Sequence, residues 1–454
     1  MIFARSIHKN PHSHLYIEYR YSIRQGTEMA IGVAGEGPNT VVQAPGRNYT
    51  VPLMLMVSLY FGIGFITALN DILVPHFKDL FHLTNVTALL VQFCFFGAYF
   101  VMSLPSGLIV GRIGYKRGIV VALSVIGLGL LLFLPASVII FYPLFLFALF
   151  VVGSGLALLQ VAINPYVGAL GPPETASSRL NLCGFFNSSA TTIAPKLGAA
   201  FIFIAAGATT AQLAHSVRMP YAILAICAFA MAIVTAFVQL PQVIEEGGVK
   251  SVSGGSAWSF SHLRLGAIAI FFYVGAEVAI GSVMINFLGQ SSMGGLSHEA
   301  AAKYVSYYWG GTMVGRLIGF FALRWIRAQR ALAFVSLIAF LLVITTIATH
   351  GHIAMWAIVS CGLFNSVMWP CIFPLSVQGL GRFTSQGSGI LVTMVVGGAV
   401  IPEIQGFLAD SFGYQRSFVI VLVCYAYILF FALRGHRNLN AVEATDSLDP
   451  GIIQ

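Results

Sequence analysis

The chain has 454 residues, of which 58% are hydrophobic and 8% are charged, and its mean hydropathy is +0.87. Soluble domains contain roughly 25% charged residues, so this chain has too little polar surface to cover an apolar core in water. The net charge of +8 could indicate a nucleic-acid partner, but the sequence contains no basic helix and no basic stripe interleaved with aromatic residues. The composition predicts an all-α membrane protein whose surroundings are the lipid bilayer, with no nucleic-acid partner.

The first 50 residues differ in kind from the rest. The segment MIFARSIHKNPHSHLYIEYRYSIRQGTE is polar and His-rich and has no apolar stretch of the kind found in a secretory signal. We expect residues 1–50 to be a disordered cytoplasmic tail, or in part an over-long start with Met29 as the true beginning.

Twelve apolar runs follow, each about as long as the roughly 20 residues that cross a bilayer. They lie near 51–75, 85–110, 117–135, 140–165, 180–206, 219–240, 265–288, 302–323, 330–348, 353–377, 387–409 and 416–434. A Gly/Ser-rich cytoplasmic linker at 241–264 separates a six-helix half at 51–240 from a second half at 265–436, and a cytoplasmic tail follows at 437–454. Most Lys and Arg residues fall in the loops that are cytoplasmic when both termini are cytoplasmic, as the positive-inside rule favours.

The two halves resemble each other in sequence. IAPKLG at 193–198 corresponds to VIPEIQG at 400–406, and GLIVGRIGYKR at 107–117 corresponds to GFFALRWIRAQR at 319–330. A six-plus-six repeat is typical of secondary transporters, in which the substrate path lies between the halves near the middle of the membrane.

The loop GLIVGRIGYKR resembles the motif between helices two and three of the major facilitator superfamily. This resemblance implies a gating role for the loop. It also implies a weakened charge latch, because Gly111 stands where the family usually has Asp. The residues that match the motif are Gly107, Arg112, Gly114, Lys116 and Arg117.

Longer stretches are similar to a narrower family, the fucose/galactose/glucose:proton symporters, and above all to their glucose/galactose branch. These stretches include LNDILVPHFKDLFHLTN, LLQVAINPYVGALGP, SRLNLCGFFNSSATTIAP and GLGRFTSQGSG. The resemblance implies the major facilitator fold, with 12 transmembrane helices in two pseudo-symmetric halves. It also implies import of a monosaccharide with a proton as coupling ion and no other cofactor. We expect a monomeric, multi-pass protein of the cell (inner or plasma) membrane.

An acid interrupts the first apolar run. Thr67, Asn70 and Asp71 are spaced i, i+3 and i+4, so they share one helix face. Placing a charge in a transmembrane helix costs about 2.5–3.5 kcal/mol on insertion scales, so we expect this face to line a wet cavity. The resemblance implies that Asp71 carries the coupling proton. Asn70, on the same face, is predicted to bind substrate. The alternative is a solvated, structural Asp near the outer helix end, seven residues before Lys78.

Amide and hydroxyl side chains recur on later helices of the first half. Amides both donate and accept hydrogen bonds, as adjacent sugar hydroxyls require, although small polar residues also join helices to each other. The residues predicted to bind substrate here are Gln92, Gln160, Asn164, Asn187 and Thr191.

Two positions in this half depart from what the resemblance leads us to expect. Gln160 stands where the fucose branch has a glutamate, which leaves Asp71 as the coupling acid of the first half. Gly184 stands where the family has a glutamine. Because an amide carries no proton, sodium-coupled and uncoupled sugar transport both stay open as alternatives.

The second half offers its own site candidates. Glu277, with Tyr273 one turn before it, is a second proton-coupling candidate or an acceptor for sugar hydroxyls. Asn365 and Trp369 are one turn apart, and the pair could bind a hydroxyl with the amide and stack a sugar face on the indole. Their alternative is a place in the core.

Three further charges lie inside apolar runs: Arg316, Lys196 and Glu403. Their default interpretation is buried pairing or snorkelling to the interface. Lys196 and Glu403 occupy equivalent repeat positions, which does not imply a salt bridge between them. All six cysteines lie within apolar segments and are expected to be small buried hydrophobic residues.

Other function classes fit the sequence less well. It has no phosphate loop, no metal-ligand cluster and no Ser–His–Asp set, so we expect no enzyme and no metal site. An exporter of drugs or metabolites on the same fold would have a wider apolar cavity with few amides. A sugar sensor that binds without transporting also stays open.

Overall fold

The computed structural model describes residues 49–202, 209–241 and 255–437. All but the last two residues of the expected tail at 1–50, most of the expected linker at 241–264 and almost all of the expected tail at 437–454 lie outside these ranges. Some side chains within the helices are also outside the description, and that of Asp71 is one of them. They are the side chains at 71, 72, 75, 85, 86, 88, 89 and 199–202.

The described residues form twelve successive helical rods. Five of them (the third, sixth, tenth, eleventh and twelfth) consist of shorter helices in series. The rods are α1 Thr50–Phe81, α2 Asn85–Ile113, α3 Tyr115–Ile139, α4 Tyr142–Ala169, α5 Ala176–Ile202, α6 Thr210–Phe237, α7 Ser261–Gly289, α8 His298–Ala322, α9 Ala328–Ala348, α10 Gly351–Val377, α11 Gly381–Phe412 and α12 Tyr414–Gly435.

Each of the twelve predicted runs overlaps one rod, so the predicted number and order of helices are confirmed. Within the described ranges, ten rods are long and apolar enough to cross a membrane. The other two, α5 and α8, have 27 and 25 residues but carry more polar side chains. They pack against each other, so part of their polar surface faces protein rather than lipid.

The helix pairs of the first half recur in the second half with the numbering shifted by six. α1 packs against α5, α2 against α4, and α3 against both α4 and α6. In the same way, α7 packs against α11, α8 against α10, and α9 against both α10 and α12. The two pseudo-symmetric six-helix halves that the repeat predicted are therefore present.

Extensive contacts between the halves join α2 and α4 to α11, and α5 to α8 and α10. We call this layer the closed end. Serine hydroxyls are among the groups that link the halves there. The Ser388 hydroxyl donates to the carbonyl oxygen of Val161 at 2.8 Å, and the Ser178 hydroxyl donates to that of Phe320 at 2.6 Å.

Glycines allow α2 and α11 to approach closely at the closed end. A Cβ added to Gly107 would lie 2.7 Å from the carbonyl oxygen of Ser385, and one added to Gly389 would lie 2.7 Å from that of Ser103. Real Cβ atoms do not approach other atoms so closely. The glycine of the loop motif at 107 therefore has a packing role.

The rest of the motif surrounds the turn between α2 and α3. Gly114 makes this turn with φ at 82°, a conformation that side chains disfavour. Arg112 and Arg117 are exposed. Gly111 lies beside Ser385, whose buried hydroxyl has no hydrogen-bond partner among the described residues. A Cβ at 111 would lie 2.8 Å from this hydroxyl, so an Asp there would require Ser385 to shift, and the Gly leaves it room.

The intramembrane charges and the cysteines differ partly from expectation. Lys196 and Glu403 are exposed, so buried pairing is wrong for both, while snorkelling stays a prediction. Burial is confirmed for four cysteines and is incomplete for Cys94, which is half-buried. It is wrong for Cys227, which is exposed and borders an apolar crevice between α1, α3, α4 and α6. The reason is that helices such as α6 carry apolar residues on their outer faces too.

Candidate functional site

A cavity of about 270 Å³ lies between the halves, next to the closed end. Its wall comes from α1, α2, α4 and α5 of the first half and from α7, α8, α10 and α11 of the second. This volume is near the lower limit of ligand pockets, roughly 300–1,000 Å³. Much of the wall is apolar and comes from Ile63, Phe95, Phe96, Leu180, Val274, Pro370 and Val395. Polar or amphipathic groups come from Tyr60, Thr67, Tyr99, Gln160, Asn164, Asn187, Thr191, Tyr273, Glu277, Arg316 and Trp369.

Interrupted helices build the wall of the second half. α10 breaks between Asn365 and Met368, and a 3-10 turn, Met394–Val396, interrupts α11. Trp369 and Val395, which follow or lie within these breaks, line the cavity. Irregular backbone at membrane depth is tolerated where it lines such a cavity rather than facing lipid.

The amides of the first half are held by hydrogen bonds between helices. The Tyr60 hydroxyl donates to Oδ1 of Asn164, and Nδ2 of Asn187 donates to the backbone carbonyl of Tyr60 at 2.9 Å. Nε2 of Gln160 donates to the Tyr99 hydroxyl at 2.9 Å. Thr191 donates to a backbone carbonyl of its own helix at 2.9 Å. These bonds fix the orientation of the side chains that line this side.

Among the described side chains, Glu277 is the acid that lines the cavity, and it is 9% exposed. Its Oε2 accepts a hydrogen bond from the Tyr273 hydroxyl at 3.0 Å, and its backbone carbonyl accepts one from Tyr308 at 2.9 Å. Behind it, Nδ2 of Asn365 donates to the Tyr308 hydroxyl at 2.8 Å, and the Tyr425 hydroxyl donates to Oδ1 of Asn365 at 2.7 Å. A buried hydrogen-bonded chain thus holds Glu277 from the side away from the cavity.

Arg316 reaches from α8 into the first half. Its Nη1 donates to the carbonyl oxygen of Gly184 at 3.0 Å and to the Ser188 hydroxyl at 2.6 Å. Its positive charge also acts on the Glu277 carboxylate. The sequence analysis predicted that Arg316 needs a partner. In the structure, its hydrogen-bond partners lie on α5.

Three polar atoms in the wall have no hydrogen-bond partner within the described part of the chain. They are Asn164 Nδ2, Glu277 Oε1 and Arg316 Nε, and we call them the open atoms. Leaving a buried polar atom unpaired costs about 1–3 kcal/mol. Their side chains all line the cavity, so two donors and one acceptor are left there for the hydrogen bonds of a ligand.

The structure brings together six of the residues predicted for substrate or proton binding, and these line the cavity: Gln160, Asn164, Asn187, Thr191, Glu277 and Trp369. It places three others elsewhere. Nδ2 of Asn70 donates to Oε1 of Gln92 at 2.9 Å, which joins α1 to α2, and Asn365 is bound by two tyrosines. A buried amide takes whichever partner the packing brings, and here that partner is protein. The side chain of Asp71 lies outside the described residues.

Several wall residues were not predicted from the sequence. Tyr60 lies one turn before Gly64 and two turns before Thr67, and all three line the cavity. Counting back from Asp71 at helical spacing would have found this face. Tyr99 and the neighbouring phenylalanines carry no such signal, because an aromatic residue in an apolar helix is usually a packing residue. Within the described ranges, no group of three or more His, Cys, Asp or Glu residues could hold a metal ion.

Comparison with known proteins agrees with this architecture. The family model of the Major Facilitator Superfamily matches residues 56–402. The "Glucose/galactose transporter" of Brucella abortus biovar 1 (strain 9-941) is 50% identical over 412 residues, which cover 90% of this chain and 100% of that protein. The "L-fucose-proton symporter" of Escherichia coli (strain K12) is 32% identical over 413 residues, covering 85% of this chain and 93% of that protein.

A solved structure supports the same assignment. The crystal structure of "a Major Facilitator Superfamily (MFS) transporter, FucP, in the outward conformation" has a TM-score of 0.78 and 31% sequence identity. The match covers 85% of this chain and 99% of that one. Fold, repeat and sequence agree over most of the described residues. The chain is therefore a multi-pass membrane protein that belongs to the Major Facilitator Superfamily, in the family of the glucose/galactose transporters and L-fucose-proton symporters.

Proposed function

We propose that this protein imports a monosaccharide, glucose or galactose in the first instance, together with a proton. The observation that carries the proposal is the set of three open atoms in the cavity wall. A sugar hydroxyl both donates and accepts, so adjacent hydroxyls can serve Glu277 Oε1, Arg316 Nε and Asn164 Nδ2. The indole of Trp369, which stacks on Phe373 at 5.9 Å between ring centroids, offers an apolar face to the sugar ring.

The names of the relatives point to the same substrate class, since those proteins are described as transporters of glucose and galactose or of L-fucose with a proton. We assign the coupling proton to Asp71 and a sugar-binding role to Glu277. Gln160 is neutral and donates to Tyr99, so it binds rather than carries charge. Substrate and proton would then use different acids in different halves.

We further propose that the chain works as a monomer in the cell membrane with both termini in the cytoplasm. In that orientation the closed end faces the cytoplasm and the cavity is oriented toward the outside. Transport then requires the halves to separate at the closed end and to approach each other at the opposite end, as in alternating access.

The test uses the purified full chain in proteoliposomes. We expect labelled glucose or galactose to accumulate when the outside is acidic relative to the lumen, and an imposed sodium gradient to have no effect. Asp71→Asn should abolish accumulation but retain exchange of labelled for unlabelled sugar, because exchange needs no net proton movement. The matched control is Glu403→Gln, which alters an exposed acid.

Three results would contradict the proposal in different ways. Accumulation by Asp71→Asn that equals wild type would reject the proton assignment. Accumulation driven by sodium alone would reject proton coupling. Binding of sugar without any exchange would indicate a sensor rather than a transporter.

A further inference from the structure

Arg316 occupies the place where the cavity meets the closed end. Its Nη1 is bound to α5 of the other half through Gly184 and Ser188, whereas its Nε is one of the open atoms of the cavity wall. One guanidinium thus contacts the closed end through Nη1 and faces the cavity through Nε. We propose that Arg316 binds the sugar and at the same time holds the cytoplasmic side of the cavity closed.

Gly184 makes this position of the guanidinium possible. A Cβ added to Gly184 would lie 3.1 Å from Cδ and 3.4 Å from Nε of Arg316. A longer side chain at 184 would occupy the space that the arginine now fills. The absence of a side chain at Gly184 in the first half therefore makes room for Arg316 of the second half. The hydrogen-bond donor at this point of the cavity comes from Arg316.

Glu277 provides a negative charge near Arg316 when the hydrogen bonds of Arg316 to α5 break. Arg316 and Glu277 both belong to the second half and both line the cavity. When the halves separate at the closed end, Arg316 loses Gly184 and Ser188 but moves together with Glu277. Opening then costs two hydrogen bonds rather than the several kcal/mol of an uncompensated buried charge.

The bound sugar connects the two roles. This step rests on the proposed function, that the substrate is a monosaccharide. A hydroxyl that accepts from Arg316 Nε and donates to Glu277 Oε1 satisfies two open atoms and leaves the Nη1 bonds to α5 in place. Arg316 therefore belongs to the substrate-binding residues and also acts as a positioning residue of the closed end.

The native cysteine Cys371 reports on the closed end without any sugar. It is fully buried on α10 and faces Ser177 of α5 across the interface between the halves. Opening of the closed end exposes its thiol to a maleimide, and peptide mass spectrometry separates its labelling from that of the other cysteines. Binding of D-glucose and D-galactose is measured in parallel on the same full-length preparations in detergent.

The variants separate the two roles. Arg316→Gln should raise Cys371 labelling and weaken sugar binding by about tenfold or more, the loss expected for one charged hydrogen bond. Ser188→Ala should raise the labelling and change the sugar affinity by less than about threefold, since Nε is unaffected. The matched control is Arg327→Gln, which removes an exposed charge from the turn that follows the same helix and should change neither quantity. Arg316→Lys keeps the charge but loses the planar set of guanidinium donors, so its Cys371 labelling and sugar affinity should resemble those of Arg316→Gln.

If the Arg316 variants and Ser188→Ala label Cys371 like wild type, the closing role is wrong. If Arg316→Gln opens the closed end but binds sugar like wild type, the binding role is wrong. If the wild-type protein binds no monosaccharide while Arg316→Gln still raises labelling, the proposed function fails and the closing role stands. Wild-type labelling that is already complete would show that Arg316 does not hold this end closed.

Discussion

At the residue scale, Glu277 is the proposed functional acid whose surroundings the structure describes. The Oε2 atom of Glu277 accepts a hydrogen bond from Tyr273, and its backbone carbonyl accepts one from Tyr308. Its Oε1 is an open atom. A carboxylate held in this way beside Arg316 is suited to accept from a fixed substrate hydroxyl. Asp71 lies in the last third of α1, directly after the candidate membrane span Thr50–Asn70, so its coupling role stays a prediction and the alternative of a solvated Asp near the outer helix end stays open.

We therefore expect Glu277→Gln to weaken sugar binding and to leave proton coupling intact. The amide still accepts from Tyr273 but replaces a charged acceptor, a change of about 1.5–3 kcal/mol or roughly 10–150-fold in affinity. The measurement is sugar affinity together with the dependence of uptake on an imposed pH gradient. Glu403→Gln is the control, and Glu277→Ala should be worse because it also leaves Arg316 without its counter-charge. Loss of the pH dependence with unchanged affinity would assign the proton to Glu277 instead.

At the element scale, the contact between α2 and α11 depends on glycine. The Cβ that Gly107 lacks would meet backbone atoms, the Ser385 carbonyl oxygen at 2.7 Å and Gln386 Cα at 3.1 Å. Backbone cannot rotate away as a side chain can. A methyl group at 107 therefore has to push the two helices apart.

We expect Gly107→Ala to open the closed end. Overpacking costs typically about 1–3 kcal/mol, so the ratio of outward-facing to inward-facing protein should fall by roughly 5–150-fold. Sugar affinity measured from outside should fall in proportion to the remaining outward-facing fraction. Gly97→Ala is the matched control: it lies on the same helix, and a Cβ there would meet nothing within 4 Å among the described residues. Equal transport and affinity in the two variants would show that the glycine contact does not set the conformation.

At the scale of the whole molecule, the sequence was sufficient for the helices and the two halves, because run length, charge bias and internal repeat are properties of the chain itself. It was less informative about the cavity. Asn164 and Asn365 are both buried amides in apolar helices, yet one keeps an open atom at the cavity and the other is saturated by Tyr308 and Tyr425. Which neighbour an amide meets is decided by packing between helices, and neither spacing nor residue type shows it.

The same limit applies to Arg316. Its charge marked it as needing a partner, but its partners lie on α5, some 130 residues away in the chain, and are a backbone carbonyl and a serine. Neither carries a sequence signal for binding a cation. Gly184 looked like a missing contact in the sequence, whereas in the structure it is the space that the guanidinium fills.

The closed end also provides a way to hold the whole molecule in one state. A Cβ added to Gly111 would lie 3.9 Å from Cβ of Ser385, close to the mean separation of about 3.8 Å in disulfides. In the double variant Gly111→Cys/Ser385→Cys, we expect oxidation to join α2 to α11 and stop uptake and exchange, because the halves can no longer separate there. Sugar binding from outside should persist, since the cavity lies beyond the cross-link, and reduction should restore transport. Each single variant, treated with the same oxidant, controls for the substitution itself. Continued transport by the fully cross-linked protein would mean that this end does not open during the cycle, and the proposed path between the halves would be wrong.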